Sequence, residues 1–128
     1  MTRGNVELVR AAWERFSQGD LRVVERTLDP QVRWYGAGDP DGEGGCQNRE
    51  EALAFIRSAL ANGTTVRLLD IHDAGDRLVL TLQRNRRPDE DSDPDPHGEV
   101  VTVHDGKITE MVVFPTVEEA FAAIARQD

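Results

Sequence analysis

The second half of the chain carries apolar residues side by side where a half-wet strand would alternate them: Leu78-Val79-Leu80, Val100-Val101 and Met111-Val112-Val113-Phe114. Successive residues of a strand point to opposite faces, so a sheet built from these runs has two apolar faces and needs cover on both. At 128 residues the chain can bury one core of useful size and not a second. We therefore read residues 1–128 as a single domain whose sheet is packed on one side and meets something else on the other.

The rhythm of the sequence places the elements. Val6, Val9, Trp13 and Phe16 line one face of a helix from about Asn5 to Ser17. Gly19 breaks it, and Asp20 starts a shorter helix with Leu21, Val24 and Leu28 on one stripe, predicted to stop at Asp29-Pro30. Val32 to Tyr35 reads as a brief strand, and the Gly-rich stretch from Gly36 to Gly45 as a loop. Asn48 with Glu51 forms a capping-box variant ahead of Leu53, Ile56 and Leu60, and Asn62-Gly63 ends that helix.

From Thr64 the period becomes that of strands. Thr64–Asp73 and Arg77–Arg86 flank Ala74-Gly75-Asp76, and Glu99–His104 and Lys107–Phe114 flank Asp105-Gly106, a two-residue hairpin signal. Thr116 and Glu119 form a second capping box before Val117, Phe121 and Ile124, which predict a closing helix. The order is ααβαββββα, an α+β class with three or four helices on a mostly antiparallel sheet. Helices in such folds gather on one side, so the outer sheet face is expected to join two copies into a homodimer rather than stay wet.

Charge narrows the partners. A formal net charge of -9 repels phosphate backbones and anionic head groups, which argues against nucleic acid and membrane surfaces. Nothing is apolar and long enough for a membrane span or signal peptide, so the cytoplasm is the expected location. The lone Cys46 can close no internal disulfide and pairs with no histidine at a nucleophile spacing. Asp89, Asp91 and Asp93 repeat like a calcium loop, but Pro94 stands where its glycine is needed and Val100 where its glutamate should be. Neither a metal nor another cofactor is expected.

Several stretches, in order, resemble the SnoaL-like members of the nuclear transport factor 2-like superfamily, which includes ketosteroid isomerase and scytalone dehydratase. They are Gly19-Asp20-Leu21, Leu28-Asp29-Pro30-Gln31-Val32-Arg33-Trp34, Asn48-Arg49-Glu50-Glu51-Ala52, Ala74-Gly75-Asp76-Arg77-Leu78-Val79, Asp105-Gly106-Lys107-Ile108 and Val117-Glu118-Glu119-Ala120-Phe121. The resemblance implies a cone-shaped α+β barrel in which a strongly curved sheet and the helices enclose a pocket for a small, mostly apolar molecule. Some members are isomerases, dehydratases or cyclases. It also implies where the isomerase machinery would stand: the base at Gly36, the tyrosine donor at Ala12 and the donor acid near Val100, with Glu99 expected to face away. That machinery is not retained at these positions.

Replacement groups exist. Tyr35 could donate a hydrogen bond, Asp39 or Asp41 could swing in from the loop, and His72 or His104 could shuttle protons as neutral imidazoles. Trp13, Phe16, Trp34, Phe55 and Met111 are the candidate ligand-contacting walls, although their spacing first makes them core residues. Arg84 and Arg86 share a strand face and could hold an anionic group. The expected function is small-molecule binding with no assigned activity; the alternatives are an acid–base enzyme acting on an apolar metabolite, or a non-catalytic protein-interaction module.

Overall fold

The computed structural model describes residues 2–38 and 45–125. Helices α1 (Thr2–Ser17) and α2 (Leu21–Thr27) precede strand β1 (Leu28–Gly36) and helix α3 (Arg49–Ala61). Strands β2 (Val66–Asp73), β3 (Arg77–Arg84), β4 (His97–His104) and β5 (Lys107–Phe114) follow, and α4 (Val117–Ala125) closes the order ααβαββββα. The strands stand as β1-β5-β4-β3-β2, with β1 parallel to β5 and every other neighbouring pair antiparallel. The sheet is mixed and mostly antiparallel, and it stays open: α1 packs against edge strand β2 and α3 against edge strand β1. No helix among the described residues is long and apolar enough to cross a membrane.

Local chemistry sets the boundaries. Asp20 caps α2 by accepting from the Arg22 N–H at 3.1 Å, and Asn48 caps α3 by accepting from the Glu51 N–H at 3.0 Å. The Glu51 carboxylate reaches past the cap to the Gln47 N–H at 2.8 Å, so the reciprocal half of the box closes one residue early. Helix α2 ends at Thr27, ahead of the predicted stop, and Asp29-Pro30 lie inside β1. Pro30 is tolerated there because β1 is an edge strand whose register with β5 shifts between Leu28 and Arg33. Asp105 (φ 51°) and Gly106 (φ 76°) both sit in the left-handed region, as a type I′ hairpin demands.

Two cores lie on the two faces of the sheet. Leu78, Leu80 and Leu82 of β3 and Val101 and Val103 of β4 face Val9, Val24, Leu53 and Ile56 of α1, α2 and α3. On the opposite face Val79 and Val100 pack with Ala120 and Ile124 of α4. The expectation that all the helices would share one side is thus corrected: α4 crosses to the outer face. Glycine makes this possible, because a Cβ on Gly98 would lie 2.7 Å from Ala120 Cβ and 3.0 Å from the Thr116 carbonyl oxygen. The helix seats itself on a strip of bare backbone.

Candidate functional site

The β3–β4 register decides what the inner face presents. Leu78 pairs with Val101, Leu80 with Glu99 and Leu82 with His97, and residues directly opposite in a ladder share a face. Glu99 and His97 therefore point with the leucines toward α1–α3, while Val100 points toward α4. This reverses the sequence expectation, in which Glu99 faced away. The reading was one residue out of phase because Val100 and Val101 are equally apolar and the alternation alone could not choose between them.

Under the helices is a cavity of about 120 Å3. Its floor is buried: Ala12, Val24, Leu28, Ile56, Ile108 and Met111. Its rim is half-exposed, formed by Trp13, Phe16, Trp34, Val66, His97 and Val113. An engineered protein cavity of about 150 Å3 takes up benzene, so this space suits one ring or a comparable small group.

Among the described residues three polar side chains reach this apolar chamber: Thr27, His97 and Glu99. Thr27 donates its hydroxyl to the Val23 carbonyl at 2.7 Å, within its own helix. Glu99 is 3% exposed, and its Oε1 has no hydrogen-bond partner among the described residues. Burial without a compensating cation pushes its carboxyl up to about 8, so the neutral acid predominates at pH 7. Burial, helped by the nearby Arg84 guanidinium, pushes His97 down from the ordinary histidine range, which favours neutral imidazole. The two neutral groups sit two residues apart on one strand face.

The other candidates are placed as follows. Trp13, Phe16, Trp34 and Met111 line the cavity, and Phe55 does not. Phe55 is 51% exposed and meets Trp34 edge-on, ring centroids 5.1 Å apart, over a separate dent. Tyr35 turns to the outer face, where its hydroxyl donates to Glu110 Oε2 at 3.0 Å, and burial together with that carboxylate raises its pKa. His72 contacts Phe121 of α4 at 5.0 Å between ring centroids, and His104 sits exposed at the β4–β5 turn beside Asp105. These three are not brought to the cavity. Asp39 and Asp41 lie outside the described residues.

Arg84 and Arg86 hold the acidic loop: Arg84 pairs with Glu90 at 2.8 Å, and Arg86 donates to the Glu90 carbonyl at 2.7 Å. Cys46 is buried, bridged to Trp34 through backbone hydrogen bonds of 2.9 and 2.7 Å, and burial raises its thiol pKa away from the reactive thiolate. Of the implied isomerase positions, Ala12 borders the cavity, Gly36 borders the dent under Phe55 and Val100 lies on the far side of the sheet. Sequence reasoning passed over His97 altogether. The parity it shares with Glu99, Val101 and Val103 was the available signal.

Comparison with known proteins gives one family. The model of the SnoaL-like domain matches residues 9–111. No curated protein matches the chain. Among solved structures, Bal32a from a soil-derived mobile gene cassette superposes with a TM-score of 0.73 at 20% identity, over 88% of each chain. A protein from Jannaschia sp. CCS1, provisionally named a SnoaL-like polyketide cyclase, superposes at 0.69 with 21% identity over 96% of this chain and 92% of its own. One from Kribbella flavida DSM 17836, provisionally named a ketosteroid isomerase, gives 0.69 at 16% identity over 88% and 78%. At these identities the likeness establishes the fold.

Proposed function

Since the chain belongs to the SnoaL-like domain family, we propose that it binds a small, largely apolar molecule in the cavity beneath α1–α3, with Glu99 as the neutral acid that holds the molecule's oxygen. The observation that carries this is the Glu99 carboxyl, buried at the apolar cavity with an unpartnered oxygen. A buried polar group without a partner costs about 1–3 kcal/mol. A ligand that brings a carbonyl or ether oxygen to Glu99 removes that penalty and fills the apolar space at once. The same device, a carboxylic acid kept protonated by apolar surroundings, is known from ketosteroid isomerase.

Titration of acetophenone against the protein tests the reading. Affinity should hold at pH 6–7 and fall as pH passes the Glu99 value of about 8, whereas Glu99→Gln, an uncharged donor, should give a flat profile. A wild-type profile as flat as that of the variant, or no binding, would overturn it.

A catalytic reading is favoured by one further observation, that His97 lines the same cavity and is kept neutral. In it the His97 imidazole takes a proton from the carbon next to the ligand carbonyl while Glu99 gives its own proton to the carbonyl oxygen. A C–H bond breaks, an O–H bond forms, and the product is the enol. Exchange of the methyl protons of acetophenone for deuterium, followed by NMR, should be faster than in buffer and lost in His97→Ala. A rate equal to that of buffer would leave binding alone.

The outer face supports a second proposal. Beyond α4 the half-buried Tyr35, Val112 and Phe114 border an open groove, and we propose that two copies of the chain associate there. The measurement is the mass in solution.

A further inference from the structure

Phe55 is the most exposed of the large apolar side chains among the described residues, at 51%. A single exposed phenylalanine needs no explanation by itself; its surroundings give this one meaning. Helix α3 buries Ala52, Leu53 and Ile56 and turns Phe55 outward. There it stands edge-on to Trp34, 5.1 Å between centroids and 81° between planes. Between them and Gly36, Cys46 and Val113 is a dent of about 130 Å3. Trp34 and Val113 also form part of the rim of the deep cavity, so the two spaces are bordered by the same two side chains.

Among the described residues nothing crowds the dent at Gly36: a Cβ built there would meet none of their heavy atoms within 4 Å, which leaves room where a side chain would stand. Its backbone is outside the left-handed region, and the missing side chain is not required by the turn of the chain. A molecule anchored at Glu99 and too long for the inner chamber reaches the dent beside Phe55 where it crosses the Trp34 and Val113 part of the rim.

We propose that the dent is an outer aromatic subsite, and that the ligand is a two-part molecule: an oxygen-bearing head in the deep cavity and a second flat ring against Phe55 and Trp34. This rests on the cavity reading above and adds the ligand's length and shape to it. Aromatic pairs prefer edge-to-face or offset contacts with centroids about 4.5–7 Å apart, and two nearly perpendicular rings, Trp34 and Phe55, border the dent that would receive a third.

The test compares two ketones, acetophenone with one ring and 4-acetylbiphenyl with two. Wild-type protein should prefer the biphenyl. Phe55→Ala should weaken the biphenyl about three- to ten-fold, the effect of one lost aromatic contact, and leave acetophenone unchanged. Gly36→Leu, which fills the dent and leaves the helix intact, should do the same. Glu99→Leu should weaken both ketones together and preserve their ratio. An unchanged ratio in both Phe55→Ala and Gly36→Leu overturns the outer subsite while the cavity reading stands. Binding of neither ketone to wild type overturns both.

Discussion

Leu80 and Glu99 face each other across the β3–β4 ladder, on the same side of the sheet and both nearly or wholly removed from water. The pairing puts a carboxyl where the neighbouring inward positions, Leu78, Leu82 and Val101, are hydrocarbon. Its consequences are measurable because, among the described residues, burial alone shifts it and no cation offsets it.

Stability should depend on pH through Glu99. Its folded pKa of about 8 lies above the ordinary glutamate value of 4.5, so between these values the native state binds more protons than the unfolded one, and unfolding free energy falls as pH rises. The contribution is full below about pH 4.5 and lost as pH passes about 8. Relative to Glu99→Gln, whose amide does not titrate, wild type should lose up to a few kcal/mol between pH 5 and pH 9. Urea midpoints of the two proteins at several pH values check this; parallel curves would show that Glu99 is ionised or solvated.

Gly98 should resist any side chain. In Gly98→Ala the new methyl meets Ala120 Cβ at 2.7 Å and the backbone of Thr116 and Val117 at 3.0 Å, so α4 must lift from the sheet. A loss of about 1–3 kcal/mol in urea unfolding is expected. Adding Ala120→Gly should recover only part of it, since the backbone contacts remain.

The hairpin at Asp105-Gly106 should be sensitive at its second residue. Gly106→Ala places a Cβ at φ 76° and should cost about 1 kcal/mol or more. Asp105→Asn keeps a residue that accepts the left-handed region and should be nearly neutral.

Self-association should be visible by sedimentation. Wild type should run at twice the 14.3 kDa chain mass, and Val112→Arg, a charge on the outer groove, should return it to that of one chain. A wild-type monomer at high micromolar concentration would refute the proposed interface.

Intrinsic fluorescence should report the cavity. The chain has two tryptophans, and both, Trp13 and Trp34, stand at its rim. Acetophenone binding should change the emission, and Trp13→Phe with Trp34→Phe should divide the signal between the two positions.

Much of the architecture was legible because it rests on near-neighbour chemistry. The stripe through Val9, the caps at Asp20, Asn48 and Thr116, the turn at Asp105-Gly106 and the element order all follow from spacings of a few residues. Of the site, the aromatic rim was readable for the same reason: Trp13 and Phe16 belong to a helix face.

The tertiary structure decided the rest. Whether Glu99 or Val100 looks inward depends on the pairing of β4 with Leu80 of β3, a contact between distant positions that leaves no trace where both neighbours are apolar. Which side α4 takes depends on Gly98 lying beneath Ala120. Whether Phe55 lines the cavity or stands outside it depends on how α3 docks, burying Ala52, Leu53 and Ile56 and leaving Phe55 edge-on to Trp34. Periodicity determines which residues share a face; only packing across the sheet determines which face is the inside.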